Sequence, residues 1–325
     1  VPGSATAQPD PRTALGFPPE ADEWLDAIDK VTVTSEVTLP DDSTADQWMR
    51  DLGILEGDRA DILAARPTQP ELRWLLDRCH AQLADDIDRT PGLLPWAPLP
   101  ESYGATGRFF YVWVFLTALP AIRAWHVEQG VTDAESREIL ADVGRQVAVH
   151  RRLFGGVGGL HTQVWLTLHF RGHIFSFGRL QFERQRAWVS IPGVVAVGDP
   201  VLSIHIPETG PMIPAACDAS FAAAVDFYRR HFPAEKYEVA VCRSWLMDTQ
   251  LADYLPAESN IMAFQNRFTP TTTSSDGDEA VLEFIFRHVG TDLDSLPQDT
   301  VLQRAIVSHL RSGKHWHAVT SWCRL

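Results

Sequence analysis

The chain has 325 residues, enough for two domains of ordinary size, each burying its own core. At 45% apolar and 22% charged, with no low-complexity repeat, it has the make-up of a soluble globular protein. The net charge of −14 is uneven: residues 1–150 hold 25 acids against 12 bases and residues 151–325 hold 17 against 16, which argues against a nucleic-acid partner, since phosphate backbones demand a positive surface.

In chain order, residues 1–19 are rich in proline and small residues and predict an extended arm. Residues 20–154 read as a mostly helical domain. "VTVTSEVTL" (31–39) alternates like a short strand. Helices follow at "ADQWMRDLGI" and at 69–87, where Leu72, Leu75, Leu76, Cys79 and Leu83 fall on one stripe. The longest apolar run, "FFYVWVFLTALPAI" (109–122), contains Pro120, is too short for a bilayer and reads as a buried helix. "TDAESREILADVGRQVAVHRRLFGG" predicts another helix, capped by Thr132 and Glu135 and stopped at Gly155. The glycine run Gly155–Gly159 marks a change of character. No strand precedes it and no Lys-Ser/Thr follows, so it reads as a hinge rather than a phosphate loop.

Beyond the hinge, residues 155–325 alternate between strand and helix. "HTQVWLTLHF" leans towards helix because Gly172 follows it. Strands are predicted at 173–184, 201–206, 237–242, 280–287 and over the closing "HWHAVTSWCRL". Helices are predicted at 214–231, in stretches between 248 and 268, and after the Thr300/Gln303 capping box. The fold class is α+β or α/β: a mostly helical N-terminal domain, then a mixed β-sheet domain flanked by helices.

Several constellations carry candidate chemistry. "HIPETGPM" links a strand to a helix, the order that presents N–H groups of Thr209, Gly210, Met212 and Ile213 to an anion; Pro211 and Pro214 supply none, and a plain turn stands beside that reading. In "GRLQFER", period two puts Arg179, Gln181 and Glu183 on one face, either lining a cleft where Glu183 accepts an amine proton or forming a solvated sheet face. His205 sits in the strand feeding the turn, as general base or as an outer-face polar residue. Ser244 follows a strand end, without the G-x-S-x-G of a hydrolase elbow. Tyr254 is a proton donor to a leaving thiolate or a half-buried structural tyrosine. His169/His173 and His315/His317 have spacings that can serve a metal, but neither pair has a nearby acidic ligand, and no metal is expected. His288 and Asp292 echo an H-x-x-x-D arrangement and read as a loop after a strand. The four cysteines form no C-x-x-C pair, which excludes a zinc ribbon or redox motif and fits a reducing compartment. No secretory apolar segment is evident, and the expectation is cytoplasmic.

"HFRGHIFSFGRLQFER", "GDPVLSIHIPETGPMIPAACDASFAAAVDFYRRHF", "CRSWLMDTQLADYLPAESNIMAFQNRF" and "LQRAIVSHLRSGKHWHAVTSWCRL" resemble the GNAT-like acyltransferases, specifically two-domain proteins with an N-acyltransferase N-terminal domain and a GNAT-like C-terminal domain. The resemblance covers most of residues 155–325. It implies an acyl-CoA co-substrate, with acetyl or short acyl groups moved to a small-molecule amine by direct attack in a ternary complex. It implies that the strand through Ile204 and Ile206 pairs with the pantetheine arm, that Thr209, Gly210, Met212 and Ile213 meet the pyrophosphate, and that strands 201–206 and 237–242 splay apart at the thioester. Glu183, His205 and Tyr254 are then the catalytic candidates, and Arg179, Gln181 and Ser244 the substrate-binding ones. The family's [RQ]-x-x-G-x-[GA] loop is altered here, with Pro207, Gly210 and Met212 at its marked positions, and Arg267 stands where the family's tyrosine is expected. An acidic N-terminal domain would favour a cationic acceptor. The alternative is a GNAT-fold protein that has lost catalysis and binds CoA or another small ligand as a sensor or scaffold. No nucleic-acid or membrane partner is expected, and the oligomeric expectation is a monomer or homodimer.

Overall fold

The structure, a computed structural model, describes residues 10–89, 92–286 and 292–325. It divides into two compact units, Val1–His173 and Ile174–Leu325. The division falls beyond the glycine run, because the helix that follows that run packs into the core of the first unit.

Over its described residues the regular structure of the first unit is helical: α1 (Pro11–Ala14), α2 (Asp22–Asp29), α3 (Asp42–Asp51), α4 (Glu56–Ala64), α5 (Pro70–Asp85), α6 (Gly104–Glu128), α7 (Asp133–Leu140), α8 (Asp142–Leu153) and α9 (Gln163–Phe170). On α5 the predicted stripe is fully buried, as a 3.6-residue period requires of one face. α6 exceeds the apolar run by more than a turn at each end and continues through Pro120, whose ring lies on the exposed side. By length and composition it could cross a membrane, contrary to the expectation that it is too short. Here it is the central helix of the first core, with Phe109 to Leu119 buried and Trp113 donating to the Ile62 carbonyl at 3.0 Å. The Thr132/Glu135 capping box forms, but the helix it starts breaks at Ala141 into α7 and α8.

Two further expectations fail in this unit. Residues 31–39 form no strand: the Val37 N–H donates to Asp77 Oδ1 at 2.9 Å and its carbonyl accepts from Arg73, so α5 side chains satisfy the backbone in place of a partner strand. The described part of the predicted arm is not extended either. It turns through α1, and Leu15 and Phe17 anchor it to the core.

The second unit is a six-stranded mixed sheet in the order β1-β2-β3-β4-β6-β5, with β1 (Ile174–Phe177), β2 (Leu180–Arg186), β3 (Pro200–His205), β4 (Val239–Ser244), β5 (Thr269–Asp276) and β6 (His317–Arg324). Among the described strands only the β3–β4 pairing is parallel, and it is bridged by α10 (Pro214–His231). The aromatic side chains of α10 pack on Phe175, Phe177 and Phe182, which covers one face of the sheet. On the opposite face Val201, Val239 and Val241 are covered by Ala187, Ile191 and Val195. α11 (Asn260–Gln265), α12 (Asp278–Val281) and α13 (Val301–Arg311) complete the unit.

The predicted strand at 173–184 is a hairpin: Gly178, at φ 62°, turns β1 into β2. The predicted strand at 280–287 is helical over its described residues, Arg287 lying outside them. The strand on that side is the threonine-rich β5, an exposed edge strand with a register shift between Pro270 and Ser274.

Candidate active site

The parallel pairing of β3 and β4 covers Leu202↔Ala240 and Ser203↔Val241, while β3 continues to His205 and β4 to Ser244. The two strands therefore end in unlaced segments side by side, the only parallel neighbours in the described sheet. Ile204 is buried opposite Phe182 on the face that α10 covers, and Ile206 follows the strand end, half-buried.

The opposite face carries the polar row. Register places Gln181 against His205 and Glu183 against Ser203, so these four side chains share one face. Glu183 is only 4% exposed, yet its carboxylate is well partnered: Oε2 lies 2.8 Å from His205 Nε2 and accepts from Gln185 Nε2 at 2.7 Å. His205, the last residue of β3, keeps a more open side chain. A buried carboxylate thus orients a more accessible imidazole, which is how a general base is held in position and how the imidazolium it becomes is stabilised. Gln181 donates to Ser176 Oγ at 3.1 Å.

Arg179 does not belong to this row. It sits in the β1–β2 turn and reaches across to the loop between β3 and α10, donating from Nη1 to the Pro207 carbonyl at 2.8 Å and from Nε to the Pro211 carbonyl at 3.2 Å. Burial pulls its pKa below the ordinary arginine value. Within the loop the Thr209 N–H is already committed to the Pro207 carbonyl at 2.9 Å, whereas those of Gly210, Met212 and Ile213 have no hydrogen-bond partner among the described residues. The Met212 side chain is buried. Gly210, at φ 120°, adopts a conformation open to glycine alone. Past the loop, Arg267 donates to the Pro214 carbonyl at 3.1 Å and to Asp218 Oδ1 at 2.7 Å, which fixes the first turn of α10. A cleft of about 570 Å³ runs alongside, lined by Asp218, Phe221, Val225, Arg229, Arg267 and Arg324 among others.

The N-acyltransferase N-terminal domain matches residues 43–172, and the GNAT-like C-terminal domain matches residues 174–323. A crystal structure of an acyltransferase in complex with decanoyl-CoA and teicoplanin is 38% identical, with a TM-score of 0.89 over 97% of this chain and 98% of that one. An acyltransferase mutant in complex with octanoyl-CoA is also 38% identical, with a TM-score of 0.88 over the same shares, as is an acyltransferase in complex with CoA and 10C-teicoplanin. The chain belongs to this two-domain acyltransferase family. Among curated protein sequences none matches. It is a GNAT-like acyltransferase, and a helical unit followed along the chain by a mixed-sheet unit matches that family's two domains.

The remaining candidates of this acyltransferase lie in other settings. Tyr254 packs with Trp316 and His309, and its hydroxyl is 2.9 Å from His309 Nδ1; His309 Nε2 in turn faces the His315 carbonyl at 3.2 Å. With Nε2–H donating to that carbonyl, Nδ1 is the acceptor and Tyr254 the donor. Ser244 caps the short 3₁₀ turn Trp245–Met247 by accepting from the Leu246 N–H at 3.1 Å. His169 is buried 3.5 Å from Asp142, whose carboxyl burial would raise in pKa but which His169, Arg145 and Trp165 together hold below the ordinary value. His315 pairs with Asp278 at 2.6 Å, and His317 meets Asp248. Among the described residues no three His, Cys, Asp or Glu side chains gather as a metal cluster. His288 lies outside the described residues. Sequence reasoning missed Gln185, which extends the period of two by one step beyond Glu183, and the grip of Arg179 on the loop, which depends on tertiary folding.

Proposed function

We propose that this acyltransferase moves a medium-chain acyl group from acyl-CoA to the amino group of a bulky acceptor of the glycopeptide kind. The observation that carries the reading is the His205–Glu183 pair at 2.8 Å, with His205 at the end of β3 beyond its paired residues with β4. The donor class is supported by relatives in complex with octanoyl- and decanoyl-CoA, which favours longer chains than the acetyl or short acyl groups expected from sequence. The acceptor class is supported by the complex with teicoplanin.

The acceptor amine attacks the thioester carbonyl. The C–N bond forms, the C–S bond breaks, and the nitrogen's proton passes to His205, from which the departing CoA sulfur takes it up. Glu183 stabilises the transient imidazolium through Nε2. The test is release of free CoA thiol from decanoyl-, octanoyl- and acetyl-CoA in the presence of a glycopeptide bearing a free amine. Decanoyl- and octanoyl-CoA should outpace acetyl-CoA. His205→Ala should cut kcat by about 100-fold or more, and Glu183→Gln by less. Preference for acetyl-CoA, or full turnover by His205→Ala, would reject the reading.

A further inference from the structure

Pro207 occupies the loop position at which the family pattern has an arginine or glutamine, so the loop supplies no long polar side chain of its own there. Two of its residues, Pro207 and Pro211, and Pro214 at the start of α10 also have no N–H. Such a loop is rich in carbonyl oxygens and poor in donors, which is unfavourable for an anion unless the carbonyls are turned away and satisfied. Arg179 meets both needs from a different hairpin. Its guanidinium takes up the Pro207 and Pro211 carbonyls, one on each side of Gly210, while the backbone N–H of Arg179 donates to Ser220 Oγ of α10 at 3.1 Å. Ser220 Oγ donates in turn to the Ala216 carbonyl at 2.9 Å. The side chain of Arg179 thereby ties the hairpin turn to the loop, and its backbone ties the turn to the first turns of α10.

We propose that Arg179 is the positioning residue of the donor loop: by holding the carbonyls of Pro207 and Pro211 it leaves the N–H groups of Gly210, Met212 and Ile213 for the diphosphate of acyl-CoA and brings a positive charge to the site. The proposal rests on the acyl-CoA reading above and predicts a defect that depends on the diphosphate. Lysine cannot replace it, because a single ammonium lacks the planar fork that reaches two carbonyls at once.

The experiment compares decanoyl-CoA with S-decanoyl-pantetheine, which carries the same thioester but no diphosphate. Arg179→Ala should raise the KM for decanoyl-CoA by about 10-fold or more, with kcat at saturation within about 2-fold, and should leave kcat/KM for the pantetheine thioester unchanged. Arg179→Lys should recover only a small part of the affinity. It also answers the question if the alanine variant does not fold, since it keeps the stem and the charge. An equal loss with both donors, or an unchanged KM for decanoyl-CoA, overturns the role. Wild-type protein is titrated with CoA first: if it does not bind, the acyl-CoA reading falls and takes this role with it, a failure distinct from that of the variants.

Discussion

Tyr254 illustrates how a residue type suited to a chemical role can be committed elsewhere. A phenol near a thioester is a natural proton donor, but this hydroxyl donates to His309 Nδ1, inside a cluster that includes Trp316, Trp245 and Ile306. Removing it would leave the acceptor nitrogen of a fully buried histidine unpaired. Tyr254→Phe should therefore cost about 1–2 kcal/mol of stability and change kcat by less than about 2-fold. Denaturant unfolding and steady-state turnover on the same preparation check this. A large loss of kcat at unchanged stability would return Tyr254 to the mechanism. His205 contrasts with it in its partner, since a buried carboxylate rather than a neutral histidine nitrogen orients it.

At the level of elements, the tightest approach in the helical unit is at Gly144 of α8. Its N–H donates to the Leu52 carbonyl at 3.0 Å, and a Cβ there would lie 2.1 Å from the Gly53 carbonyl oxygen. The obstacle is backbone just past the end of α3, which cannot swing aside as a side chain can. Gly144→Ala should destabilise the protein by about 2–3 kcal/mol, despite alanine's higher helix propensity, and lower the melting temperature of the helical unit by roughly 5–10 °C. A neutral or stabilising effect would mean that α8 is free to shift away from α3. The same distinction between local and tertiary causes explains which elements were legible in the sequence. α5, α10 and α13 carry their own signals: an apolar stripe, Pro214 at the first helical position and the Thr300/Gln303 capping box. The strand–loop–helix order around Gly210 was legible for the same reason. Residues 31–39 and 280–286 mislead because alternation and apolar runs do not reveal whether a partner strand is present. The polar, threonine-rich β5 is a strand because β6 lies beside it. In the site, Glu183 and His205 could be placed on strands, but their meeting depends on the β2–β3 register, and the hold of Arg179 on Pro207 and Pro211 on the placing of a hairpin turn beside a loop far along the chain.

For the molecule as a whole, charge sets how the two proposed substrates arrive. Residues 1–173 hold 25 acids against 15 bases, and residues 174–325 hold 17 against 13, so both units are net negative and the total is −14. A field of that sign attracts a cationic amine and repels the phosphates of acyl-CoA. The donor must then rely on short-range features, the Arg179-braced loop and the first turn of α10, whose effect lies within a few ångströms and is weakly screened. Long-range attraction is strongly screened, because the Debye length falls from about 30 Å at 0.01 M salt to about 8 Å at 0.15 M. Raising the ionic strength from about 0.01 M to about 0.3 M should therefore lower kcat/KM for a cationic acceptor by roughly 2–5-fold. Over the same range kcat/KM for decanoyl-CoA should hold steady or rise, because salt relieves the overall repulsion while the loop contacts persist. Both are read by varying one substrate at saturation of the other, with an uncharged osmolyte as the control for viscosity and hydration. A steep fall for decanoyl-CoA, with no change for the acceptor, would mean that local positive charge around the donor loop outweighs the acidic surface at long range.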